Sequence, residues 1–245
     1  MMGRAISVPS FARWAPWTGF AAYGLPAPHP NDFTEPVIAA MAEVPTVCEH
    51  VHLPVQSGSS SVLKRMLRRY SREEYFDCVA KMRAAIPGLS VTTDIIVGFP
   101  GETDAEFDDT LSLVREVGFD DAFTFKFSPR EGTPATRMPA EMTVPTGVVD
   151  ARYETLLKLV RDIARARNMA LLGERREVLV EKAARRGGEL LQARSRDFRS
   201  VMVPADAADI GDYLMVELTG TTGSTYTGTP VPERAHLPTA ALAGK

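Results

Sequence analysis

Cysteine is nearly absent from this chain: of 245 residues only Cys48 and Cys78 carry a thiol, thirty positions apart. That excludes a disulfide framework and the close thiolate spacings that hold a metal, so no metal site is expected and the pair reads as two buried thiols. Long apolar runs are missing too. None approaches the roughly 18 residues that cross a bilayer, and the opening "MMGRAISVPSFARW" lacks the apolar core of a secretion signal, so a cytoplasmic protein without membrane partners is expected. Bases are scarce between 94 and 121, where nine acids face Arg115 alone, a pattern that reads as a solvated acidic helix face. Residues 151–200 reverse this with thirteen Lys or Arg against seven Asp or Glu, a net of +6. Such asymmetry points to a polyanionic partner for the second half, or to an ordinary charged surface. With 44% hydrophobic and 24% charged residues, the chain has material for one sizeable core and a small second one.

From about residue 31 to 130 one theme repeats. Thr34 is placed to cap a helix through Val37, Ile38 and Met41, with Pro36 in its first turn. "CEHVHLPVQS" reads as a strand and its exit loop. "SREE" at 71–74 is a capping box ahead of Tyr75, Val79, Met82 and Ile86 at helical spacing, and the strand "LSVTTDIIVG" follows. "TDAE" at 103–106 is a second capping box, leading Phe107, Leu111 and Val114 on one stripe, and "DAFTFKFSP" is the next strand. Strand and capped helix in alternation predict a parallel sheet with helical crossovers. Ligands of such sheets sit beyond the C-terminal strand ends. The exit loops "PVQSGSS" (54–60), "GFPGET" (98–103) and "SPREGTP" (128–134) therefore form one candidate site, each also suiting a plain tight turn.

These residues carry a resemblance. From "HPNDFT" at residue 29 to about 138, the chain is similar to the later half of the radical S-adenosylmethionine barrel of tRNA methylthiotransferases. "QSGSS" and "DAFTFKFSPREGTPA" resemble the MiaB-type branch, which modifies isopentenyladenosine beside the tRNA anticodon. From Gly173 onward, "RREVLVEK", "LLQARSRDFRSVMVPA", "GDYLMVELTG" and "STYTGTPV" read as a small antiparallel barrel, similar to the TRAM domain, an OB-like module, that ends these enzymes. The expected fold is α/β: a partial parallel (β/α) barrel over 29–170, a TRAM-type barrel over 171–235, a divergent segment 1–28 and a tail 236–245.

The resemblance implies roles. Gly98, Phe99, Pro100 and Gly101 would line the S-adenosylmethionine pocket, with Gln56 and Ser57 toward its ribose or amino acid part. Asp94 is either a polar contact inside the barrel or a buried hydrogen-bonding group. Arg194, Arg196 and Arg199 match the basic strand thought to grip tRNA, against the alternative of a solvated strand face. Phe198 or Tyr226 stacks on a base or packs in the core, and Arg68 and Arg69 reach a carboxylate or end a surface helix.

The sequence also departs from the family. Intact members use S-adenosylmethionine and two 4Fe-4S clusters, one held by a Cys-x3-Cys-x2-Cys loop; no such loop exists here, and two distant thiols do not replace it. Pro at 9, 16, 26 and 28 opposes a central strand near the start. No catalytic residue is assigned. Three readings follow: the C-terminal portion of a methylthiotransferase that acts on tRNA only with a separate chain carrying the clusters; a non-catalytic tRNA-binding remnant; or an unrelated phosphate-binding enzyme using "GFPGET". The last loop lacks the Lys-Ser or Lys-Thr ending of a triphosphate loop.

Overall fold

The computed structural model describes residues 29–184 and 188–232. The readings for 1–28, for the last residues (233–235) of the small barrel, and for the tail 236–245 lie outside the described residues.

Three parallel strands form the first unit: β1 (His50–His52), β2 (Ser90–Val97) and β3 (Asp121–Lys126), in the order β1-β2-β3. Helix α1 (Glu35–Glu43) precedes β1, α2 (Ser60–Arg65) and α3 (Arg72–Ala85) link β1 to β2, and α4 (Asp104–Val117) links β2 to β3. Both capping boxes form. Ser71 accepts from the Glu74 N–H and Thr103 from the Glu106 N–H, and each glutamate reaches back to its cap residue, satisfying donors that the first helical turn leaves open. Thr34 precedes α1 but makes no side-chain cap bond. Gly118 ends α4 at φ 58°, a left-handed position that suits a residue without Cβ.

Strand β1 is shorter than its sequence suggests, because Pro54 has no N–H to donate and the Val55 N–H turns to Thr93 Oγ1 at 2.9 Å. Pairing resumes at Gln56, whose N–H reaches Asp94 O and whose carbonyl accepts from Ile96. In β2, Val91, Thr93, Ile95 and Val97 are fully buried under the helices, whereas Thr92, Asp94 and Ile96 alternate onto the other face and stay half-buried.

Helix α5 (Thr146–Ala170) was not read from the sequence. Its face of Leu156, Val160 and Ala164, with the partly buried Val149, Tyr153 and Ile163, packs on β3, α4 and β2 and completes the core.

The second unit is a closed five-stranded barrel of β4 (Arg175–Ala183), β5 (Leu190–Ser195), β6 (Ser200–Pro204), β7 (Tyr213–Thr221) and β8 (Thr225–Pro230), in the order β4-β5-β6-β8-β7. It is not wholly antiparallel: β6 and β8 pair in parallel, because β7 crosses the barrel to return beside β4. Val178, Val180, Ala193, Val201, Val203, Val216, Leu218 and Tyr226 fill it.

The two charge blocks meet. Arg152 pairs with Glu102 at 2.9 Å and Asp104 at 2.7 Å; Arg167 and Arg199 both reach Asp120, at 2.9 and 2.6 Å; Arg196 grips Glu49. The acidic stretch is thus no uniformly solvated face: Glu102 and Asp120 are buried partners of the basic half.

Candidate functional site

Closing the strands under helices on one side leaves the other side of the sheet as a shallow inner face. His50 and His52 of β1, Thr92 and Asp94 of β2, and Phe123 and Phe125 of β3 lie on it, the two phenylalanines 57% and 50% exposed. The polar members form a chain. His52 Nε2 lies 3.3 Å from Asp94 Oδ1, His52 Nδ1 3.0 Å from Thr92 Oγ1, and His50 Nε2 3.1 Å from the same hydroxyl. A carboxylate only accepts, so His52 donates from Nε2 and its Nδ1 takes the single Thr92 proton. The hydroxyl then accepts from His50 Nε2. This leaves His50 Nδ1 as a bare acceptor, and it is buried with no partner among the described residues. Burial, reinforced by His52, lowers the His50 pKa to about 4, so the ring is neutral near pH 7.

At the C-terminal rim, Gln56 holds φ at 69°, costly for a residue with a Cβ. Ser57 is fully buried, its hydroxyl 3.4 Å from Thr110 Oγ1 and enclosed against α4. The 98–103 turn is held by bonds within itself and by one to residue 142. The Gly98 N–H donates to Glu102 Oε2 at 2.8 Å, the Gly101 N–H to Met142 O at 2.6 Å and the Glu102 N–H to Phe99 O at 2.9 Å. Phe99 is buried edge-on to Phe127 at 5.1 Å, and Pro100 is buried beside it. Burial raises the pKa of Glu102 despite its Arg152 partner, and its Oε1 has no partner among the described residues.

The arginines expected at RNA are engaged within the chain. Arg194 makes a bidentate pair with Glu181 and lies 4.3 Å over the Phe198 ring; Arg196 binds Glu49 and Val47 O; Arg199 binds Asp197, Asp120 and Asn168 Oδ1. Phe198, at φ 66°, stacks on His50 at 4.6 Å, and buried Tyr226 sets its hydroxyl on Asn168, so both rings serve packing. The bidentate carboxylate partner near 68 and 69 is instead Arg65, which grips Glu106 and holds that carboxyl down to about 2. Sequence reading missed His50, His52, Arg65 and Arg152. The alternation "HVH" beside "TTD" was the available signal for the histidines.

The described residues do not fit an iron–sulfur cluster. Both thiols are buried, burial pushing Cys48 up to about 12 and Cys78 to about 11, and Cys78 donates to Pro30 O. No group of three His, Cys, Asp or Glu among the described residues is placed to hold a metal ion. Nor is the glycine turn an empty cradle for S-adenosylmethionine. A Cβ at Gly98 would meet Val149 at 2.6 Å and one at Gly101 would meet Met142 at 2.5 Å, so these glycines admit neighbouring chain. No described helix is long and apolar enough to cross a membrane.

Residues 26–114 match the Radical SAM superfamily. The chain is similar to tRNA-2-methylthio-N(6)-dimethylallyladenosine synthases: 47% identical over 191 residues to that of Moorella thermoacetica, covering 78% of this chain and 43% of the relative. Synthase 1 of Mycobacterium marinum is 46% identical (79% and 37% covered) and that of Clostridium botulinum strain Langeland 44% identical (82% and 44% covered). Among solved structures, the radical SAM enzyme coproporphyrinogen III oxidase of Escherichia coli aligns at 14% identity and a TM-score of 0.46, over 77% of this chain and 45% of that one, a likeness too slight to argue from. The chain spans less than half the length of these curated relatives, and over that span it belongs to the radical SAM family of tRNA methylthiotransferases.

Proposed function

We propose that this chain is the C-terminal portion of a tRNA-2-methylthio-N(6)-dimethylallyladenosine synthase, acting on the adenosine next to the tRNA anticodon, and that the reaction needs cluster-binding cysteines that these 245 residues do not hold. One observation carries this reading: a chain 44–47% identical to such synthases over about four fifths of its length presents the inner face of its parallel sheet, with Phe123 and Phe125, to solvent. Large exposed aromatic surface marks a binding face. In this reading the remaining barrel strands pair beyond β1, and S-adenosylmethionine lies over the rim, reached by Gln56 and Asp94 with the 98–101 turn as a wall. The strained Gln56 backbone supports a site there. The second unit is read as TRAM-type and OB-like, supported by its closed five-strand order with one parallel pair. Arg194, Arg196 and Arg199 would touch phosphate only by exchanging a carboxylate partner for it.

The second reading, a non-catalytic tRNA-binding remnant, is favoured by the poor fit of the described residues to an iron–sulfur cluster, both thiols being buried and far apart in the sequence. Anaerobic reconstitution of the full chain with iron and sulfide, followed by mass spectrometry of tRNA, tests both. The expected result is salt-dependent tRNA binding and no methylthiolated adenosine from this polypeptide alone. Activity restored by a cluster-bearing partner chain supports the first reading and rejects the remnant. Methylthiolation without a partner would overturn both, and absence of tRNA binding at low salt would remove the RNA role.

A further inference from the structure

Where the inner face of the sheet meets the small barrel there is a cavity of about 660 Å³, within the range of small-molecule sites. One wall is α5, another the β7–β8 hairpin tip at 222–224, and the floor holds His50 and Phe123. Its charges sort into two kinds. Arg194 and Arg199 are neutralised by carboxylates, whereas Arg161 and Arg165, one turn apart on the exposed side of α5, have no carboxylate partner among the described residues. A Cβ on Gly223 would lie 3.9 Å from Arg165 Cγ, so that arginine runs along the hairpin. The acids at the cavity are Asp120, Asp121 and Asp197. Asp120 is bound by Arg167 and Arg199 and Asp197 by Arg199, which leaves exposed Asp121 alone against two unpaired guanidiniums. Two further features face a ligand's needs. Phe123 offers an aromatic ring 57% exposed, and buried His50, which lines the cavity, carries a nitrogen with no partner among the described residues.

We infer that this cavity binds a phosphate-bearing nucleotide, with Arg161 and Arg165 on the phosphate and Phe123 against the base. Paired guanidiniums match phosphate oxygens, and an exposed ring stacks on any base. The site lies away from the C-terminal rim, against the small barrel, and for an RNA source of the nucleotide the inference rests on the proposed function above.

Titration of the full chain with AMP, adenosine, a single-stranded oligoadenylate and tRNA tests it. Arg161→Gln with Arg165→Gln, at unchanged melting temperature, is expected to weaken AMP or oligoadenylate at least tenfold, and Phe123→Ala about tenfold. For the oligonucleotide the salt slope falls by about 0.7 per lost phosphate contact. Weakening of the oligonucleotide assigns the site to RNA; weakening of AMP alone assigns it to a free nucleotide. On the unmodified chain, AMP is expected to bind at least tenfold tighter than adenosine, a comparison that needs no variant. Equal binding of AMP and adenosine, or variants that bind both probes like the parent, overturn the cavity site while persistent tRNA binding leaves the broader reading standing; loss of tRNA binding in the parent chain removes that reading instead.

Discussion

The chain builds two β-sheets and finishes them differently. The small barrel closes on itself, so every inward side chain becomes core: Val178, Ala193, Val201, Val203 and Val216 have no exposure, and no strand edge remains. Among the described residues, the parallel sheet is covered by helices on one side only. Val51, Val91, Ile95 and Val97 are as deeply buried under helices, yet His52 and Asp94, one residue away, and Phe123 and Phe125 on the neighbouring strand stay accessible. Closure thus converts alternation into a sealed core, and its absence converts the same alternation into a face for ligands or further strands.

The largest test of this contrast lies on the covered side of the open sheet. Arg152→Ala leaves Glu102, 1% exposed in its side chain, as an uncompensated buried acid, and a loss of about 3–5 kcal/mol in urea unfolding is expected. At the seam between the two sheets the lever is pH. His50 has a folded pKa of about 4 against the ordinary 6.5, so below 6.5 the unfolded chain binds the extra proton. Stability is therefore full above pH 6.5 and falls as pH drops toward 4. The His50 share of that loss is about 3 kcal/mol, and a His50→Gln variant is expected to flatten the curve. Inside the sealed barrel, a Cβ at Gly228 would sit 2.7 Å from Val201 Cγ1 and 3.1 Å from Val216. Gly228→Ala should cost about 1–3 kcal/mol through overpacking. On the open face, Phe125→Ser is expected to change stability by less than about 0.5 kcal/mol and to reduce self-association at high concentration. A large cost there would mean that the inner face is already covered.

Local signals were readable where their cause is local. Both capping boxes need only residues three apart, and β2 shows its buried face in the alternation of Val91, Thr93, Ile95 and Val97. Helix α5 was legible in principle, since Val149, Tyr153, Leu156, Val160 and Ile163 recur at helical spacing, but its Arg-rich content drew attention to charge instead. The rim loops were found, yet their glycines turn out to admit Val149 and Met142, which no spacing in the loop announces.

The sequence by itself determined the order of strand and capped helix, the four or five short strands that follow, and kinship with a family whose cysteine loop it lacks. Tertiary structure alone decided where the charges go. Arg196 meets Glu49 across 147 positions and Arg199 meets Asp120 across 79, so a basic block that reads as a handle for a polyanion is largely neutralised by the chain's own acids. A hydrogen-bonded ion pair between distant residues leaves no period in the sequence, because its geometry exists only once the sheet and the barrel have packed against each other.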